Sequence, residues 1–188
     1  MKKKKNVVPV PEPAPWNRRG FAYVLDGYLG SAFSAIPVGL LWNMRTGEAA
    51  INTDLTLFEA PYGYLAGLLG LLFGAIYFFA IPMWVWKGQT LGKRLMNIRI
   101  IGEDNKPLPA GRLAVRQLLG VMVMEGAFLL TGQYAVQMLT MLTFGVTKRA
   151  LNFLLFGVFL VSCWLAYRDG KSAHDIWAKS KVADAKEG

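Results

Sequence analysis

At 188 residues the chain has room for one domain of ordinary size. Its 54% hydrophobic content and mean hydropathy of +0.32 exclude an ordinary soluble domain, which runs at about 45–50% apolar even with glycine counted. One cysteine, Cys163, excludes an intramolecular disulfide and a cysteine-based metal cluster, and the net charge of +9 is too segregated along the chain to mark a nucleic-acid surface.

The start, MKKKKNVVPVPEPAPW, carries lysines like a signal peptide, but Pro9, Pro11, Pro13 and Pro15 occupy the place of the apolar segment. Residues 1–16 are expected to form a disordered, solvated basic tail. The first apolar block predicts a span over residues 18–42, with Pro37 able to kink it and Gly27, Ser31, Ser34 and Ala35 forming a smooth face for another helix. The following loop, with Glu48, Asp54 and Glu59, should face outward. A second span is expected over residues 60–86. Its two GxxxG pairs, Gly63 with Gly67 and Gly70 with Gly74, suit close helix packing inside the bundle or, less simply, a dimer contact. Trp84 and Trp86 suit an interface.

Residues 87–112, KGQTLGKRLMNIRIIGEDNKPLPAGR, make the one substantial polar stretch. Gly88 to Lys93 is one residue short of a phosphate loop, and no Ser or Thr follows the lysine. Ile98, Ile100 and Ile101 suggest a short strand, with residues 179–183 as its partner. A third span is expected over residues 116–138, the moderately apolar stretch up to Val146 supplying its end and an interfacial loop. A fourth is expected over residues 150–167. SAHD at 172–175 reads as a helix start, with Ser172 as cap.

With four spans, eighteen of the 21 Lys and Arg residues fall on one side, and only Arg45, Lys148 and Arg149 on the other. That asymmetry places both termini in the cytoplasm and favours anionic lipid headgroups as surroundings. The expectation is therefore an all-α polytopic membrane protein. It is a four-helix transmembrane bundle with a short cytoplasmic strand pair, a transmembrane domain over residues 17–183, and a C-terminal tail over residues 184–188.

Two acids enter the apolar blocks. Asp26 lies seven residues after Arg19, nearly on the same helix face and about 10 Å along the axis. Glu125 lies seven residues into the third block, at a similar depth. A charge in the hydrocarbon costs at least about 2.5–3.5 kcal/mol, so such residues mark structure or function. Two readings stay open: structural pairing with Arg19 or Arg116, or a proton or cation pathway. His174, beside Asp175, is read as a solvated or capping residue, with a proton relay as the alternative. No soluble catalytic constellation, zinc spacing or nucleotide loop is present, so no enzyme and no cofactor is expected.

The residues RGFAYVLD (Arg19, Ala22, Asp26), the segment QTLGKRLMNIRII with Arg116 after it, and SAHDIWAKSKV with Asp175 together resemble the RDD family of small bacterial membrane proteins. The resemblance runs from about Trp16 to Val182. It implies that Arg19, Asp26 and Asp175 matter together, in a protein of the bacterial cytoplasmic membrane assigned to transport of the sodium/proton exchange type. Glu125 is not part of that pattern. A non-transporting scaffold, or a lipid- or partner-binding module, is the alternative. A homodimer is expected if transport is real, since four short spans leave little room for an aqueous path.

Overall fold

The computed structural model describes residues 11–143 and 148–185. The lysine run at residues 2–5 and most of the loop after Leu142 lie outside the described residues. The long first helix, α1, covers Trp16–Thr46 and carries Pro37 in its interior. A 3-10 turn at Leu55–Leu57 leads to α2, Tyr62–Ala75, which continues in wider π-helical turns over Ile76–Val85. Pro82 lies in that wider stretch and has no N–H for the ladder, and Trp86 bonds back five residues to the Ile81 carbonyl at 3.0 Å. Short α3 (Leu91–Leu95) and β1 (Ile98–Gly102) follow, then α4 (Ala110–Ala114), extended by π-helical turns over Val115–Met124. After a second 3-10 turn at Gly126–Phe128 come α5 (Leu130–Leu142), α6 (Lys148–Asp169), α7 (Ala173–Trp177) and β2 (Ser180–Asp184).

The expected strand pair is present: β1 and β2 are antiparallel, with Ile100 opposite Val182. Pro13 bridges Ala183 beside this sheet, and the Ala14 N–H bonds the Val182 carbonyl at 3.0 Å. Residues 11–15 are therefore laid against β2, and the tail expected through residue 16 does not extend so far. The start of α1, the sheet, α3 and α7 thus gather at one end of the molecule.

Three helices are long and apolar enough to cross a membrane: Trp16–Thr46, Tyr62–Val85 and Lys148–Asp169. The fourth expected span, residues 116–138, is not one helix. It breaks between Glu125 and Leu129, so the bundle of four continuous helices is corrected to three long helices and one broken segment. A break frees backbone groups that lipid cannot satisfy. Here neighbouring groups take them up. Tyr23 donates its hydroxyl to the Glu125 carbonyl (3.2 Å), Ser31 accepts from the Leu130 N–H (3.1 Å), and Gln133 donates to the Ala127 carbonyl (2.9 Å). Two of these three partners come from α1.

All four glycines of the GxxxG pairs, Gly63, Gly67, Gly70 and Gly74, are buried and face inward. A Cβ at Gly63 would lie 2.6 Å from the Leu55 carbonyl, and one at Gly67 would lie 2.6 Å from Met138 Sδ and 2.9 Å from the Leu55 side chain. A Cβ at Gly70 would lie 2.6 Å from the Tyr134 ring; one at Gly74 would overlap the Thr131 methyl and stand 2.9 Å from Ser34 Oγ. This face is filled by α1, α5 and the Leu55–Leu57 turn of the same chain. Of the two roles expected for Gly63, Gly67, Gly70 and Gly74, packing inside the bundle is therefore the one the structure has, and the dimer contact is corrected: a dimer would use another surface. We expect Gly70→Ala and Gly74→Ala each to lower stability by about 1–3 kcal/mol, the usual penalty for overpacking. Gly20→Ala, where nothing lies within 4 Å of the added carbon, should not do so. Unfolding in detergent micelles reads the difference.

Candidate ionic site beside the broken helix

Asp26 is 2% exposed and has no free lone pair to spare. Its Oδ1 accepts from Tyr77 hydroxyl at 2.9 Å and from the Gly92 N–H at 2.8 Å; its Oδ2 accepts from the Thr90 hydroxyl and from Lys93 Nζ, the latter at 2.8 Å. Three of these four donors belong to Thr90-Leu91-Gly92-Lys93. The carboxylate therefore clamps α3 against α1, and the clamp depends on Gly92 having no side chain. A Cβ there would meet the Ala22 carbonyl at 2.7 Å and Asp26 Oδ1 at 2.8 Å. Asp26 pairs with Lys93, not with Arg19.

Asp175 takes the arginines. Arg116 is 1% exposed and binds Oδ1 through Nε at 3.1 Å and Nη2 at 2.7 Å. Arg19 binds Oδ2 at 2.8 Å, and Ser172 closes the same oxygen with its hydroxyl at 2.8 Å and its backbone N–H at 3.2 Å. The backbone N–H contact is one half of the capping box that starts α7; in the other half the Ser172 side chain accepts from the Asp175 N–H. Burial by itself would raise the Asp175 carboxyl, but Arg116, His174 and Arg19 outweigh it and hold it well below the usual carboxylate range.

Glu125 differs from both. It is 3% exposed, stands at the start of the helix break, and has no Lys or Arg at ion-pair distance among the described residues. Its Oε1 accepts from the Ser162 hydroxyl of α6 and lies 2.7 Å from His174 Nδ1. The ring nitrogen has ion-pair distance but not hydrogen-bond alignment. His174 is therefore neither solvated nor merely a cap: it is 7% exposed and packed against Gly120, where an added Cβ would overlap its own.

The hydrogen bonding around His174 limits where protons sit. Asp175 is ionised and accepts the Ser172 hydroxyl proton, so Ser172 oxygen, 2.9 Å from Nε2, is left to accept from the ring. With Nε2 as donor, neutral His174 would leave an unprotonated Nδ1 only 2.7 Å from a buried carboxylate oxygen. That contact calls for one positive charge, either a proton shared between His174 and Glu125 or a cation beside them.

A cavity of about 380 Å³ reaches Arg19, Asp26, Lys93, Arg116, Glu125, Ser162, Ser172 and His174, but not Asp175, Tyr77 or Thr90. Its other walls come from α1 (Trp16, Gly20, Tyr23) and α6 (Phe159, Cys163, Ala166). The three carboxylates, Arg19, Arg116 and His174 were visible in the sequence as candidates. Lys93, Thr90, Tyr77 and Ser162 were not visible there as their partners.

A small helical membrane protein with a broken inner helix and an ion-paired site beside it is thus the class that fold and geometry define. The RDD family profile matches residues 13–179, and the chain belongs to that family. No curated protein and no solved structure gives a match. Of the residues that carry the resemblance, Arg19 and Asp175 touch, while Asp26 holds the TLGK segment instead.

Proposed function

We propose that this protein exchanges a small cation for a proton across the bacterial cytoplasmic membrane, with the Glu125–His174 pair as the exchange site. The observation that carries the reading is that Glu125 is the one carboxylate of the three without a fixed cation, placed on a helix break and open to a cavity. Discontinuous helices with freed backbone at membrane depth are a recurrent way to build ion sites in transporters. One positive charge satisfies the pair, so proton and cation compete, which is the requirement for exchange. Asp26 and Asp175 then hold the scaffold rather than the cargo.

In this reading the chain is multi-pass. The sheet, the start of α1 and α7 face the cytoplasm, where their basic residues meet anionic headgroups. A homodimer would form through a face other than the α2 glycines. The rival reading is a scaffold or lipid-binding module, favoured by the loose packing of α6, in which only Leu155 and Ser162 are buried.

Proteoliposomes holding an imposed proton gradient separate the two. Addition of sodium, potassium or lithium should collapse the gradient with wild type. Glu125→Gln should reduce that rate by about a hundredfold or more, the scale on which a positioned proton-transferring group acts. Collapse unchanged in Glu125→Gln would remove this site from the function. No collapse with any cation, from folded and inserted protein, would favour the scaffold.

A further inference from the structure

We propose that the cleft between α1 and α6 binds a lipophilic organic cation, an amphiphilic amine or onium, with its charge beside Glu125 and its apolar body against the two helices. The site itself stands on geometry alone; that such a cation is the exchanged species rests on the exchange reading above.

Three observations point to this class of ligand. First, the walls would leave a bare metal ion with most of its own water and suit an apolar cation better. A hard cation asks for about six oxygen ligands, and beside Glu125 the cleft offers the Ser162 and Ser172 hydroxyls; Arg19, Lys93 and Arg116 on its wall are already paired with Asp175 and Asp26, and much of the rest is aromatic and aliphatic. Asp26 has no oxygen to lend, since four donors already occupy it. No cluster of three metal-binding side chains occurs among the described residues. Second, the aromatic rings suit an organic cation. Trp16, Tyr23 and Phe159 line the cavity, and ring faces attract onium groups, most strongly away from water. Third, the polar end calls for positive charge. Glu125 is buried without a Lys or Arg partner among the described residues, and His174 Nδ1 beside it is an unpartnered polar atom in a side chain more than nine-tenths buried.

The size and access fit as well. About 380 Å³ lies within the roughly 300–1,000 Å³ of small-molecule sites. The cleft is roofed where Tyr23 and Phe159 meet, with ring centroids 6.0 Å apart, and its sides are helices that face lipid. Gly20 leaves open space on the α1 wall. A ligand can therefore enter sideways from the bilayer, displacing α6, which is lightly held.

Tetraphenylphosphonium and tetraphenylborate share size and shape and differ in the sign of charge. Binding of each to the full-length protein in lipid nanodiscs, corrected for empty discs, tests the proposal. Wild type should bind the phosphonium saturably and the borate not at all. Glu125→Gln should weaken phosphonium binding by about tenfold or more, the loss of a charge-assisted contact. Gly20→Leu, whose Cβ meets nothing within 4 Å and whose larger side chain stands on the cleft wall, should weaken it at least as much. A thermal melt confirms that each variant is folded. Equal binding of both ions would reduce the cleft to a greasy groove and overturn the proposal. So would absent phosphonium binding, or binding indifferent to both substitutions. If alkali cations drive exchange but the phosphonium does not bind, the ligand class falls and the exchange reading stands. If the phosphonium binds but no cation, organic or alkali, moves protons, the exchange reading falls and the site stands.

Discussion

Replacing Asp175 by asparagine is expected to cost about 3–5 kcal/mol of stability, the usual consequence of removing one partner of a buried ion pair. Arg116 has 2% of its side chain exposed and would lose its charge partner without gaining access to water. Arg19 and the Ser172 cap would lose the same anchor, loosening α7 and with it His174. Denaturant unfolding in micelles measures the loss. The exposed pair Lys171–Glu103 is the control: Glu103→Gln should leave the transition where it is. The pH dependence follows from the same contacts. Because the folded-state carboxyl of Asp175 lies below its unfolded value, its contribution is complete above the ordinary carboxylate range. It is lost as pH falls through that range toward the folded value. Across neutral pH the wild-type curve should be flat in this contribution, and Asp175→Asn should remove much of the acid-side fall.

Asp26→Asn should be the second severe substitution, at about 3 kcal/mol or more, because it leaves the Lys93 ammonium with 12% exposure and no counter-charge. Asparagine can still accept from the Gly92 N–H, but its amide cannot serve four donors. The segment from Thr90 to Met96 should then exchange its amide hydrogens faster, with Leu91–Leu95 undocked from α1. Asp26→Asn/Lys93→Met, which removes both charges, should recover part of the loss. A double-mutant cycle isolates the pair from the remaining hydrogen bonds. If the single and double variants are equally unstable, the clamp consists of the hydrogen bonds and not the ion pair.

The long helices were legible because apolar runs of this length have few other solutions, and the strand pair because Ile98, Ile100 and Ile101 are strongly β-forming. The spacing of Gly63, Gly67, Gly70 and Gly74 announced a close helix contact but not its partner, which only the placement of Tyr134, Met138 and Thr131 on α5 decides. The helix break was not legible. Glu125–Leu129 carries no proline and stays mostly apolar, so nothing local marks it. It exists because Tyr23, Ser31 and Gln133 are in place to bond the freed backbone, which is a property of the assembled bundle. The carboxylates stood out because acids are rare in apolar runs. Their partners did not, since the distribution of cations among three acids depends on three dimensions: Lys93 looked like one more cytoplasmic charge, and both arginines converge on Asp175. Nothing in the sequence sets Ser162 apart from the other small residues of its span. His174 looked solvated because SAHD is polar and short; only Gly120 on another element makes room to bury it.

Under the exchange proposed above, Glu125 and not Asp26 is the carboxyl that takes up and releases a proton. Infrared difference spectroscopy of membrane-embedded protein across an acid titration tests it, through the stretching band of protonated carboxyl groups. Wild type and the Asp26→Asn/Lys93→Met variant should both show a component of that band, beyond the one the exposed acids give in every variant, that Glu125→Gln lacks. A band that survives in Glu125→Gln and disappears with Asp26 would contradict the account and return the exchange site to the first helix.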